Sequence, residues 1–204
     1  MGKVDDNKQQ KLNALLNAAY DLFTTQSVEK TTIAEISKAA DVAKGTFYLY
    51  FKDKYEIRNR LISHESSKLF KDAVAALEKK SSTASEEPAF EEKMIFIINY
   101  IVDALDGNHS LLTFISKNLS WGVFKEALTT NVASNDINFK DIYYEMLSTS
   151  GLSIEEPEIL LFLVVELVGS TCYSSILYNE PADIGSIKPY LSRTVRAIIR
   201  EYSK

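Results

Sequence analysis

The sequence is poor in residues that interrupt or cross-link a chain. Of 204 residues, one is cysteine, two are histidine, four are proline and seven are glycine. The single cysteine, Cys172, rules out an intrachain disulfide and points to a reducing compartment. The N-terminal stretch MGKVDDNKQQ lacks the apolar centre of a signal peptide, and the run ILLFLVV (159–165) is cut by Glu166 short of a membrane span. A cytoplasmic protein with no membrane contact is expected. His64 and His109 fall in separate elements, and CxxC, HExxH and GxSxG are all absent. The seven glycines are too scattered for a phosphate loop, and Gly107 breaks the spacing of Asp106 and His109 as helical metal ligands. These absences argue against an enzyme, and no cofactor or metal is expected.

Period-2 alternation is scarce as well, whereas helical spacing recurs throughout, so the sequence predicts an all-α protein. Leu12, Leu15, Leu16, Ala19, Leu22 and Phe23 form the stripe of a first amphipathic helix over about 8–25. Thr32 and Glu35 have capping-box spacing at the start of a short second helix, and Asp53 with Glu56 opens a long one running toward Lys80. Further breaks are predicted at 79–88, 107–110 and 148–151, with Gly151 as a left-handed cap. Ser153 and Glu156 predict another capping box, with Pro157 in the first turn of a helix to about Tyr178; the last helix spans about 187–202.

Charge is uneven. Net charge is −5, but residues 1–63 carry ten Lys/Arg against eight Asp/Glu, so a mildly basic head sits on an acidic body. Between the second and fourth helices lies VAKGTFYLYFKDK (42–54). Helical rotation of about 100° per residue turns Phe47 and Phe51 inward and leaves Gly45 and Leu49 outward, flanked by Thr46 and Tyr48. Glycine weakens a helix by roughly 0.5–1 kcal/mol relative to alanine and is tolerated where another backbone comes close. A DNA duplex is such a surface. Thr46 can donate to a phosphate or touch a thymine methyl, Tyr48 can reach a phosphate, Lys44 supplies charge, Leu49 offers apolar contact to base edges, and Lys54 sits at a helix N-terminus that favours phosphate. Three short helices, the third expected to be about eight residues long, have the dimensions of a helix-turn-helix head.

The stretch TTIAEISKAADVAKGTFYLYFKDKYEI (31–57) resembles the DNA-binding signature of the TetR family of bacterial repressors. The resemblance implies that Thr32, Lys44, Thr46, Tyr48, Leu49, Tyr50 and Lys54 lie at or near DNA and that Ala34 can face a base. Two positions depart from the family pattern: Asp41 stands where glycine is frequent, and Ala43 where Ser or Thr often caps the third helix. The resemblance further implies a helix-turn-helix head at 1–52, a helical ligand-binding and dimerisation body at 53–204, a double-stranded DNA operator as partner, and an inducer of unidentified chemistry.

For the body, residues supply the expectations. The nearly all-apolar run ILLFLVVELVGSTCYSSIL and the final helix predict a homodimer through the last two long helices, where Gly169 and Ser170 permit close approach. Phe96, Tyr100, Phe114, Trp121, Phe124, Tyr143 and Tyr144 offer aromatic walls for an inducer pocket. Glu166, on one helix face with Tyr173, is expected to be buried and either to meet a cationic ligand or to pair with Arg193 or Arg196. The rival to a repressor is a helical protein-interaction module whose Tyr48-Leu49 surface docks another helix.

Overall fold

The structure, a computed structural model, describes residues 3–83, 86–118 and 139–204. Among these residues it is helical: α1 (Lys3–Gln26), α2 (Ile33–Ala39), α3 (Lys44–Phe47), α4 (Lys54–Ser81), α5 (Phe90–Asp106), α6 (His109–Asn118), α7 (Phe139–Thr149), α8 (Pro157–Tyr178) and α9 (Ile184–Glu201). Extended pairing among them is confined to one isolated bridge between Ile154 and Ser203.

The first three helices close a small core. Leu15, Ala19 and Phe23 from α1 meet Ile36 of α2, Phe47 of α3 and Phe51, all buried, with Val42 packed at the margin. Each aromatic withdrawn from water there contributes about 1.5–3 kcal/mol. This core continues without a break into the body, because Phe114 of α6 stacks on Phe23 at 6.2 Å and meets Tyr20 edge-on at 6.0 Å. α4 leaves the head through buried Ile57 and Leu61 and packs along α5.

In the body, α5 lies against α9. Arg196 pairs with Glu92 at 2.6 Å, Arg200 with Glu91 at 3.3 Å and Lys188 with Asp103 at 2.6 Å along this seam. All three pairs are partly exposed, so they set the register of the two helices more than they add stability. Cys172 is buried on α8, and burial, with Asp106 nearby, pushes its thiol up to about 12.

Helix boundaries largely follow local signals, with three corrections. α3 is one α-turn rather than eight residues. After Phe47 the chain tightens, Leu49 N–H donating to Thr46 O at 3.1 Å and Tyr50 N–H to Phe47 O at 3.0 Å, because extended Asp53 must already cap α4. The expected Ser153–Glu156 box does not form. That stretch pairs with the C-terminus instead, Lys204 N–H reaching Ser153 O at 2.9 Å and Glu155 N–H reaching Tyr202 O at 3.3 Å, and α8 begins only at Pro157. At α4, Asp53 caps Tyr55 and Glu56 as expected, but Glu56 reaches back to Lys52 N–H at 2.8 Å rather than to Asp53.

Candidate nucleic-acid interface

Residues 31–57 build the candidate interface from tight local contacts. Thr32 accepts from Glu35 N–H at 3.2 Å while Glu35 accepts from Thr32 N–H at 2.8 Å, closing the box that starts α2. The Thr32 hydroxyl also donates to Glu35, and these bonds hold the Glu35 carboxyl below the usual carboxylate range. Two backbone hydrogen bonds close the turn to α3: Asp41 N–H meets Lys38 O at 3.2 Å and Val42 N–H meets Ser37 O at 3.0 Å. Asp41 takes the left-handed conformation, φ 52°, that glycine would adopt without strain, and Ala43 starts α3 with no side-chain cap.

The inner face of this segment is full. Phe47 and Phe51 are buried with ring centroids 5.5 Å apart. The outer face is bare. Leu49 is 81% exposed and Tyr48 52%, the latter leaning edge-on against Phe47 at 5.6 Å. Lys44, Thr32 and Ala34 are exposed and Thr46 is half-buried. A Cβ built on Gly45 would meet nothing within 4 Å, so no neighbour among the described residues demands glycine there. Leaving Leu49 in water forgoes about 1.5–3 kcal/mol that burial would supply. The surface is therefore apolar at its centre, with lysine at its edge.

Two of the residues implied at DNA have tasks inside the chain. The Tyr50 hydroxyl donates to Lys8 O at 3.1 Å, tying the segment to α1. The Lys54 ammonium donates to three backbone carbonyls, those of Val28, Glu29 and Thr31, at 2.8, 2.9 and 3.0 Å. At the start of α4 an exposed Tyr55 lies under Arg58, whose guanidinium carbon is 5.2 Å from the ring centre, a pair the sequence reading did not single out although their helical i,i+3 spacing signals it.

Among the described residues, the aromatic candidates of the body are not brought to one cavity. Phe114 is committed to Tyr20 and Phe23. Tyr143 is buried, donates to Pro157 O at 2.9 Å and has its hydroxyl pKa raised by burial. Phe96 lies under Lys80 at 4.8 Å, Tyr100 and Tyr144 are partly exposed, and the Tyr173 and Tyr178 hydroxyls meet at 3.2 Å. Trp121 and Phe124 lie outside the described residues. Glu166 is not buried but exposed on α8, and neither suggested arginine pairs with it: Arg196 is taken by Glu92 and Arg193 lies over Tyr190. The apolar run misled because its outer half faces solvent in a single chain.

A cleft of about 750 Å³ does open among the described residues, between the end of α4, the start of α5 and α7. Val74, Phe90, Ile142 and Met146 give it apolar lining and Glu78, Glu87, Glu91 and Glu145 line it with carboxylates, Glu87 paired with Lys93 and Glu91 with Arg200. Among the described residues, none of those expected to hold an inducer lines it.

Comparisons with known proteins bear on the fold and on one segment of the chain. Residues 15–61 match the model of bacterial regulatory proteins of the tetR family. The fatty acid metabolism regulator protein of Bacillus subtilis (strain 168) is 31% identical over 105 residues, which is 51% of this chain and 50% of that protein. The match thus spans about half that relative's length. Among solved structures, a tetR family transcription regulator from Shewanella sp. PV-4 superposes with a TM-score of 0.64 at 16% identity, covering 95% of this chain and 98% of that one. FadR of Thermus thermophilus, a TetR-family repressor solved with lauroyl-CoA, gives 0.61 at 17% identity and covers 92% of each chain. The structural likenesses are of fold, while the match at 15–61 falls on the segment whose outward face is bare. It is this segment, residues 15–61, that matches the bacterial regulatory proteins of the tetR family.

Proposed function

We propose that this protein is a sequence-specific DNA-binding transcriptional regulator, a repressor that a small-molecule inducer releases from its operator in the cytoplasm. The observation that carries the reading is the outward Gly45, Tyr48 and Leu49 with Lys44 beside them, an apolar and basic surface left exposed among the described residues. In this reading Gly45 admits the duplex backbone, Leu49 and Ala34 face bases, and Lys44, Thr32, Thr46 and Tyr48 hold phosphates. Residues 1–52 form the head and 53–204 the body.

Two heads must enter successive major grooves about 34 Å apart, which requires a dimer. α8 and α9 pack together and leave Ile159, Leu163, Glu166, Gly169 and Ser170 of α8 and Tyr190 of α9 exposed, which supports a two-fold four-helix interface. α8 is long and apolar enough by composition to cross a membrane, but Glu166 at its middle and its packing on α6 and α9 favour a second subunit as its cover. Sedimentation of the wild type as a dimer and of Leu163→Glu as a monomer supports this interface; a monomeric wild type overturns it.

The relatives suggest an acyl-CoA as inducer, since one is named for fatty acid metabolism and another was solved with lauroyl-CoA. The 750 Å³ cleft is lined by four glutamates against one lysine, and of these Glu78 and Glu145 are left to repel the phosphates of such a ligand, so that cleft is not its entry in this reading. Release then follows from a body conformation in which α4 carries the heads out of register. The reading is tested by fluorescence anisotropy on DNA from upstream of the protein's own gene and on a scrambled duplex, across a salt series. Selective binding that weakens steeply with salt supports it. The 81% exposure of Leu49 favours a second reading, a module docking a partner helix. A flat salt response with any duplex selects that one.

A further inference from the structure

Lys54 occupies a position that ordinarily disfavours a cation. It is the first residue of α4, immediately after the Asp53 cap, where the helix dipole is positive and free N–H groups crowd the end. Its ammonium turns away from that end and back to the α1–α2 turn. There it meets the carbonyls of Val28, Glu29 and Thr31 at 2.8, 2.9 and 3.0 Å, so each of its three N–H groups has an acceptor within the chain. The stem is half-buried, and the turn it holds is anchored by buried Val28 and Thr31. Thr31 in turn is fixed by its own N–H and hydroxyl, which donate to Ser27 O at 3.2 and 2.7 Å. The next residue is Thr32, whose capping box starts α2. A short chain of polar contacts therefore joins the root of α4 to the start of the helix-turn-helix.

Resting on the DNA-binding reading above, we infer that Lys54 is a positioning residue and not a phosphate ligand: its ammonium latches the α1–α2 turn to α4 and so fixes how the head sits on the helix that enters the body. A phosphate would have to draw the ammonium off three carbonyls at once, leaving them without their donor. The neighbouring field agrees, since the Glu29 carboxyl is held below its usual range by hydrogen bonds from its own N–H and from Ser27, with the Lys54 and Arg58 charges adding to them. Movement of α4 would reach the head through this latch as well as through the packing of Ile57 and Leu61.

The test uses the full-length protein with Lys54→Met, which keeps the stem and removes the donors, and Lys54→Arg, which keeps the charge but cannot set three donors on the same three points. In the free protein, amide hydrogen exchange of residues 27–33 should quicken in Lys54→Met by roughly tenfold while the amides of α8 and α9 keep their rates. Binding is then read on a random-sequence duplex across a salt series, well below the melting temperature. Lys54→Met should bind about tenfold more weakly, because fewer heads hold the competent orientation. Its slope of log affinity against log salt should equal that of the wild type, and Lys54→Arg should also bind more weakly than the wild type. A contact that only stabilised the fold would lower the melting temperature and leave the affinity of the folded protein alone. The inference is overturned by unchanged exchange at 27–33, by unchanged affinity in Lys54→Met, by full binding in Lys54→Arg, or by a slope reduced by about 0.9 per head, the signature of a lost phosphate contact. Failure of the wild type to bind any duplex would instead overturn the DNA-binding reading, while exchange in the free protein still reports on the latch.

Discussion

The outward face of residues 44–49 and the aromatic residues of the body differ in what the chain itself asks of them. Tyr48 and Leu49 stand 52% and 81% exposed, and Gly45 has open space above it. Phe114 and Tyr143, by contrast, are fully engaged, one stacked between head and body and the other hydrogen-bonded to Pro157. A large apolar side chain in water forgoes stabilisation that a soluble domain needs, so a cluster of them points to an external partner. A buried aromatic has its explanation already. The comparison teaches that residue type alone does not distinguish a binding surface from a core; the lack of an internal partner does.

The comparison breaks most readily at Phe114. As a core residue bridging α1 and α6, its replacement in Phe114→Ala should lower unfolding free energy by about 3–5 kcal/mol. Urea titration measures this directly. A loss under about 1 kcal/mol would show that the ring has little structural work and is free to serve as a ligand wall. The opposite pattern is expected at the head. Lys44→Ala/Tyr48→Ala should leave stability within about 0.5 kcal/mol of wild type, because neither side chain is buried. Duplex affinity should drop by about 1–3 kcal/mol, with the salt slope reduced where Lys44 meets phosphate. A stability loss as large as the affinity loss would mean that the outward face is part of the core after all.

How much of this was legible in the sequence depends on the range of the contact. The Thr32–Glu35 box, the left-handed cap at Gly151 and the inward Phe47 and Phe51 all rest on neighbours within a few residues, and periodicity reveals them. The Lys54 contacts lie 23 to 26 residues back along the chain, beyond any local pattern, so a lysine at a helix start read as a phosphate site. Ser153 and Glu156 had capping spacing, but a β-bridge to Ser203 took the strand of chain that the cap needed. Glu166 read as buried because its neighbours are apolar; only the fold shows that those neighbours divide between a packed face and an exposed one. The aromatics of the body are likewise legible as half-buried helix residues, while which of them meet is a property of helix packing.

The finest test of the comparison is a single carbon atom at Gly45. A Cβ there would touch nothing within 4 Å, and the backbone is not in a conformation that requires glycine. Gly45→Ala should therefore stabilise the free protein by about 0.5–1 kcal/mol, the ordinary helix-propensity gain, less whatever fraying the one-turn α3 allows. If the open space above Gly45 is reserved for a duplex backbone, the same methyl group must stand in the way of that approach and weaken DNA binding. Stability and affinity would then move in opposite directions for one substitution, which neither a core residue nor an idle surface residue can produce. Chemical denaturation and duplex titration of the one variant read both, and an affinity that rises or stays level with stability would remove the close-approach argument for this face.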